Sequence, residues 1–139
     1  MATITQVRQR FEQLDEEQIA EEAVRESADL MADLNAMQIN TGLKADGTEM
    51  PDYSFRSVFQ YGKPPGPIRL RDTGAWQAGL RVQVVGDSVV FDSTDSKDRM
   101  LRDRYGDAIQ GLSDKYANEA IREAIEPAFM RKIREAVQL

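Results

Sequence analysis

The sequence predicts an α+β fold, with long amphipathic helices at both ends packed on a small antiparallel sheet that contains a central hairpin. Three observations predict it. Apolar residues recur at steps of three and four near both ends, a β-branched alternating run occupies the middle, and a Gly-Asp pair divides that run. The 139 residues suit one domain, residues 1–139, and no internal repeat, low-complexity tract or linker divides them.

In chain order, a short amphipathic piece spans Ile4 to Leu14, and Asp15 stands where an N-cap is expected. From Glu16 to about Asn40, one stripe holds Ile19, Ala23, Val24, Ser27, Leu30, Met31, Leu34 and Met37, which predicts a single long helix. Glu17, Glu21, Arg25 and Asp29 lie largely on its other side, and acids crowd its early turns, where the helix dipole favours them. Thr41-Gly42 is a stop signal and Asp46-Gly47 a turn signal. Tyr53 to Tyr61 carries no decisive pattern. Gly62-Lys63-Pro64-Pro65-Gly66-Pro67 can be neither helix nor central strand and reads as an extended, exposed loop.

Thr73 to Leu80 resembles one or two helical turns feeding a strand, Leu80 to Val85. Gly86-Asp87 then forms a two-residue hairpin connection to a second strand, Ser88 to Phe91. Asp92 to Ser96 is rich in capping residues, and Lys97 to Tyr105 follows as a short charged helix ended by Gly106. Ser113 or Asp114 caps a second long helix, whose stripe is Ala117, Ile121, Ala124, Ile125, Phe129, Ile133 and Val137. Pro127 inside that stripe predicts a kink or a break.

Composition narrows the chemistry. The chain has no cysteine and no histidine, which removes thiol nucleophiles, Ser-His and Cys-His pairs, zinc fingers and imidazole proton shuttles. With 24 acids against 18 bases the net charge is −6, so direct nucleic-acid binding over the whole surface is not expected. No apolar run is long enough to span a membrane, so no membrane partner is expected. The start, MATITQVRQRFEQL, lacks a signal peptide's apolar segment, which leads us to expect synthesis into the cytoplasm.

Individual residues give weaker leads. Asp92, Asp95 and Asp98 could be drawn as oxygen ligands for a hard cation, but the segment lacks the alternating acids, central glycine and closing glutamate of a calcium loop. Strand end, loop and helix cap account for the same residues without an ion, and no metal or cofactor is expected. Gly62-Lys63 is followed by two prolines, not by the Ser/Thr and helix of a phosphate loop. Trp76, the only tryptophan, reads first as core and alternatively as an interface anchor.

Charge distribution says more. Residues 12–29 hold eight acids and one base, whereas residues 56–83 hold Arg56, Lys63, Arg69, Arg71 and Arg81 against Asp72 alone. One reading is a plain acidic helix and a mildly basic loop. The other is a pair of complementary surfaces, Glu17, Glu21 and Asp29 against Arg56, Lys63, Arg69 and Arg71, which suits head-to-tail association into a ring.

The tract Ile68-Arg69-Leu70-Arg71-Asp72-Thr73-Gly74-Ala75-Trp76-Gln77-Ala78-Gly79-Leu80 resembles the L-x-x-T-G-x-L/F-x-x-S/G segment of small morphogenesis proteins of long-tailed bacteriophages. That group includes Mu-type virion morphogenesis proteins and tail-completion or head–tail connector (neck) proteins. The order of amino-terminal helix, Asp46-Gly47-Thr48 turn, proline-rich loop and hairpin is similar too. Asp92-Ser93-Thr94-Asp95-Ser96-Lys97, Arg104-Tyr105-Gly106 and Ile109-Gln110-Gly111-Leu112 resemble a phage and prophage subgroup. The resemblance covers roughly residues 16–116, and Trp76 departs from it, standing where a smaller apolar residue is usual.

The resemblance implies a non-enzymatic virion protein that completes the tail or the head–tail junction as a sixfold ring. Its partners would be further copies of itself and adjacent head-connector, portal-adaptor or tail-tube proteins. It would be found in the neck or tail of the particle, and in the host cytoplasm during assembly. Thr73 is expected to cap the short helix, and Gly74 to leave room between that turn and the hairpin. The row Glu12 to Asp29 supports a different expectation, an acidic regulator or DNA mimic that occupies a basic host protein. A third reading, a carboxylate enzyme using a divalent ion near Asp92 and Asp95, has the least support.

Overall fold

The computed structural model describes residues 2–138. Helix α1 (Ile4–Glu12) opens with a capping box in which Thr3 and Gln6 satisfy each other's backbone N–H groups, yet none of its residues is buried. Helix α2 (Glu16–Glu26) is capped by the Asp15 side chain, as expected. Helix α3 (Ala28–Asn40) follows immediately.

The single helix expected over 16–40 is therefore two. Ser27 breaks it: its hydroxyl donates to the Ala23 carbonyl at 2.8 Å, a back-bond that competes with the regular ladder and bends the chain. The expected stripe is otherwise buried or half-buried. Met37 is the exception at 52% exposed, because α3 turns Asn35, Gln38 and Ile39 inward instead.

The Asp46-Gly47 turn forms as expected. Thr48 donates both its N–H and its hydroxyl to Asp46 Oδ1, at 3.0 and 2.6 Å, and a Leu43–Glu49 bridge closes the turn. The segment without a pattern holds helix α4 (Phe55–Tyr61), capped by Ser54 and ended by Gly62 in the left-handed conformation. The Asp52–Pro67 bridge ties the base of the loop that carries α4. Pro67 then packs where a Cβ on Gly42 would lie 2.5 Å from the proline ring.

Helix α5 (Ala75–Ala78) leads into β1 (Leu80–Val85), which pairs antiparallel with β2 (Ser88–Ser93). The second strand runs two residues beyond the expected Phe91. Val85 faces Ser88 across a two-residue turn, and Gly86, with φ +61°, supplies the positive dihedral of a type II′ connection. Leu80 and Val82 point into the core, while β2 is exposed or half-buried along its length.

Helix α6 (Asp98–Tyr105) ends at Gly106, and a 3₁₀ turn (Asp107–Ile109) leads to α7 (Asp114–Ala120). A π turn (Ile121–Ile125) then joins α7 to α8 (Glu126–Ala136). The expected break at Pro127 takes this form: proline lacks the N–H the ladder needs, and the wide π turn just before it absorbs the defect. Of the expected stripe, Ala117, Ala124, Ile125, Phe129, Ile133 and Val137 are half-buried and Ile121 is exposed, while the most buried positions are Tyr116, Ala120 and Ala128.

Two apolar clusters lie on either side of α3. One joins Ile39, Met50, Leu70, Trp76, Leu80 and Ile109; the other joins Met31, Leu34, Val82, Tyr116 and Ala120. Between them α3 uses two buried amides as clamps. Asn35 donates to the Ile109 carbonyl and accepts from the Gly111 N–H, at 3.1 and 3.0 Å. Gln38 donates to the Gly111 carbonyl and accepts from the Ser113 N–H, at 3.0 and 2.7 Å. These bonds satisfy backbone groups of a loop that has no ladder of its own.

Candidate functional site

A groove of about 640 Å³ opens between the 51–74 segment and α6. Its floor is apolar, made by Ile68, Leu70, Trp76 and Leu101, which also belong to or pack on the first core cluster. Tyr53 and Tyr105 line it, and its cations are Lys63, Arg71, Lys97 and Arg104. Seven residues singled out from the sequence, Lys63, Arg71, Asp72, Thr73, Gly74, Trp76 and Asp95, converge here. Arg56 and Arg69 lie outside it, on the exposed surface of the same loop region.

Backbone strain sets the direction of the arginines. Leu70 has φ +53°, a left-handed conformation that costs a side chain with a Cβ about 1–2 kcal/mol. That twist buries Leu70 while Arg69 and Arg71 on either side stay exposed. Gln77 holds the strand of chain in place by donating to the Arg69 carbonyl at 2.7 Å and to Asn40 at 2.9 Å.

The Thr-Gly tract works differently from the expectation. The N-cap of α5 is Gly74, not Thr73; the Thr73 hydroxyl instead accepts from the Ala75 N–H at 3.3 Å. Gly74 has φ +83°, and nothing lies within 4 Å of where its Cβ would be. Its glycine serves the dihedral, not the space. Close approach to the hairpin falls at Gly79 instead, where a Cβ would meet Thr94 Oγ1 at 2.8 Å and Ser93 Oγ at 2.9 Å.

Trp76 is a core residue, 3% exposed, and its indole N–H donates to Asp98 Oδ1 at 2.8 Å. Arg102 binds the other oxygen of Asp98 at 3.0 Å, and Gln110 donates to the first. One buried carboxylate thus joins α5, α6 and the loop after the 3₁₀ turn. The three aspartates weighed as cation ligands are divided among separate tasks. Asp98 is engaged as described, and Asp92 pairs with Arg81 at 2.6 Å across the hairpin. Asp95 has one buried oxygen without a hydrogen-bond partner. Among the described residues, no group of three or more Asp or Glu could hold a metal ion.

Across the groove mouth, Lys63 donates to Asp72 at 2.9 Å. The bond raises the lysine's pKa and lowers that of the aspartate. Arg56 is occupied by uncharged neighbours, Gln60 at 2.9 Å and the Tyr61 hydroxyl and ring. Among the described residues, Arg56, Arg69, Arg71, Lys97 and Arg104 have no carboxylate within ion-pair distance.

The acidic face is less bare than its sequence. Arg131 of α8 binds Glu26, with Nη2 to Oε2 at 2.6 Å, and Lys132 lies 3.4 Å from Glu26 and 3.9 Å from Glu22. Arg131 holds the Glu26 carboxyl below its ordinary pKa. Glu21 pairs with Arg25 at 2.7 Å. Glu17 and Asp29 remain exposed and unpaired among the described residues. A second groove, about 450 Å³, is lined by Arg25, Ala28, Val82, Gln83, Val84 and Val85, and Asp29 follows its lining residue Ala28 in the chain.

Sequence reasoning missed the aromatic surface of α4. Phe55 and Phe59 are 77% and 73% exposed, with ring centroids 4.3 Å apart. Their spacing of four on a segment opened by Ser54 was the available signal. No helix among the described residues is long and apolar enough to cross a membrane. No family model, curated protein or solved structure matches the chain.

Proposed function

We propose that the chain is a non-enzymatic structural protein of a long-tailed bacteriophage, completing the tail or the head–tail junction as an oligomeric, sixfold ring. The observation that carries this reading is the pairing of unsatisfied charges on one molecule. Arg71 lines the Thr-Gly groove and Arg56 and Arg69 are exposed outside it, whereas Glu17 and Asp29 are exposed on α2 and α3, Asp29 next in the chain to Ala28 of the second groove. Complementary patches at different places on one subunit favour a head-to-tail contact, which closes into a ring when the rotation allows. The 640 Å³ groove, with an apolar floor and a rim of four cations (Lys63, Arg71, Lys97, Arg104) and three aspartates (Asp52, Asp72, Asp95), suits a peptide segment of an unlike neighbour such as a head-connector, portal-adaptor or tail-tube protein. The resemblance of the Thr-Gly tract supplies the setting.

The alternative, an acidic regulator or DNA mimic, draws on the same acids. Arg131 and Lys132 interrupt the row it depends on, so the ring is the better-supported reading. The test is complementation. Particles made without the protein should stall with heads and tails unjoined or leaking, the unmodified chain should rescue them, and Arg69→Glu with Arg71→Glu should not. Normal maturation with both arginines reversed would sink the proposal that this surface docks.

A further inference from the structure

We infer that the outer edge of β2 takes a third strand, an extended apolar segment of an unlike neighbour, through backbone hydrogen bonds. The inference rests on the ring reading for one step, that the neighbour is unlike, and otherwise stands on the geometry of the hairpin. The register fixes which backbone groups are free. Val85 faces Ser88, and the Thr94 N–H donates to the Gly79 carbonyl at 2.9 Å, so Ser88, Val90 and Asp92 turn their N–H and C=O groups toward β1. Val89, Phe91 and Ser93 turn theirs away, and among the described residues none of these groups has a backbone partner. Such a row is a template for another extended chain.

The strand carries none of the devices that close an edge. Ser88 to Phe91 holds no charge and no proline, and the pairing with β1 runs without a bulge. Side chains specify what the row accepts. Val89 and Phe91 stand opposite Val84 and Val82, on the face that buries Leu80 and Val82, yet Val89 is 43% exposed. The core face runs past its cover, and apolar residues at alternate positions of an added strand would complete it. On the other face Val90 is exposed, and Asp92, held by Arg81, is the only charge on β2. This chain has no strand to spare, because among the described residues its one sheet is the β1–β2 pair. Pairing β2 with β2 of a second copy needs a twofold axis between the two strands, which neighbours in a head-to-tail ring lack. The occupant is therefore a segment of a different chain.

The probe is a fluorescein-labelled peptide of the sequence Gly79 to Gly86, whose alternation already fits β2 side chain for side chain. Its anisotropy should rise and saturate with the full-length protein. In the complex the Val89 and Phe91 amides should exchange with solvent about tenfold more slowly, while Val90, bonded to β1, changes little. Val89→Pro removes an outward N–H that β1 does not use, so it should weaken binding about tenfold and keep Val90 protected. Val89→Lys leaves every backbone group in place and should weaken binding similarly. No saturable binding at millimolar peptide, or binding that Val89→Pro leaves unchanged, would overturn the inference. The chain has no cysteine, so a disulfide-linked pair from Val90→Cys would give the edge to a second copy and overturn it too. Native mass spectrometry reads the ring separately. Peptide binding by a chain that stays monomeric would support the edge site and overturn the ring.

Discussion

Asn35→Leu tests the claim that α3 holds the 109–113 loop by side-chain amides. Asn35 is fully buried, and its two bonds, 3.1 Å to the Ile109 carbonyl and 3.0 Å from the Gly111 N–H, are the contacts the substitution removes. Leucine is close in size, so no large cavity opens; what is left is one carbonyl and one N–H without partners in the interior. Each such group costs about 1–3 kcal/mol, and with a small gain for the added apolar surface the net loss should be about 3 kcal/mol. That is a large share of the roughly 5–15 kcal/mol a domain has. With a urea slope of about 1.5 kcal/mol per molar, the midpoint should fall by about 2 M. Trp76, alone and buried, reports the transition by its fluorescence. Met37→Leu, two residues along but exposed, should move stability by less than about 0.5 kcal/mol. A loss under about 1 kcal/mol for Asn35→Leu would refute the reasoning, because the freed backbone groups would then have found other partners.

Three further outcomes follow from the geometry. Gly79→Ala should destabilise more than Gly74→Ala in thermal melts, since the first drives a Cβ into Ser93 and Thr94 while the second meets only a strained dihedral of about 1–2 kcal/mol; equal losses would contradict this. Glu26 should titrate below 4.5, and Arg131→Met should return it toward that value. Because the folded-state pKa is the lower one, the pair's contribution is complete above the unfolded value and fades as pH falls through the folded one. Carboxyl chemical shifts followed by NMR check this, and an unmoved midpoint in Arg131→Met would refute it. Arg69→Glu with Arg71→Glu should melt like the parent, both side chains being exposed and unpaired, while losing self-association in sedimentation velocity; retained association would remove these arginines from the contact.

Local signals carried most of the architecture. The strand β1, the Gly86-Asp87 turn, the Asp46-Gly47 turn and the end of α6 at Gly106 depend on nearest neighbours, and each formed where the residues pointed. What the pattern could not carry was pairing at a distance. Gln38 and Asn35 look like surface polar residues on a helix until a loop more than seventy positions away needs their amides. Residues 12–29 look uniformly acidic until α8 brings Arg131 and Lys132 to Glu26 and Glu22. Regular periodicity also does not encode that the break at Pro127 takes the form of a π turn over Ile121–Ile125, which leaves Ile121 of the stripe exposed. Within the candidate site, the chemistry of Lys63, Arg71 and Asp72 was legible as charge. Their convergence on one groove with Trp76 beneath it required the left-handed turn at Leu70, a conformation that no leucine announces.

Native mass spectrometry across a concentration and salt series addresses the central claim, self-association through complementary surfaces, most directly. The account predicts one discrete closed oligomer, a hexamer, that dissociates as salt rises and screens the exposed charges. A monomer at every concentration, or an open distribution of sizes indifferent to salt, would contradict it.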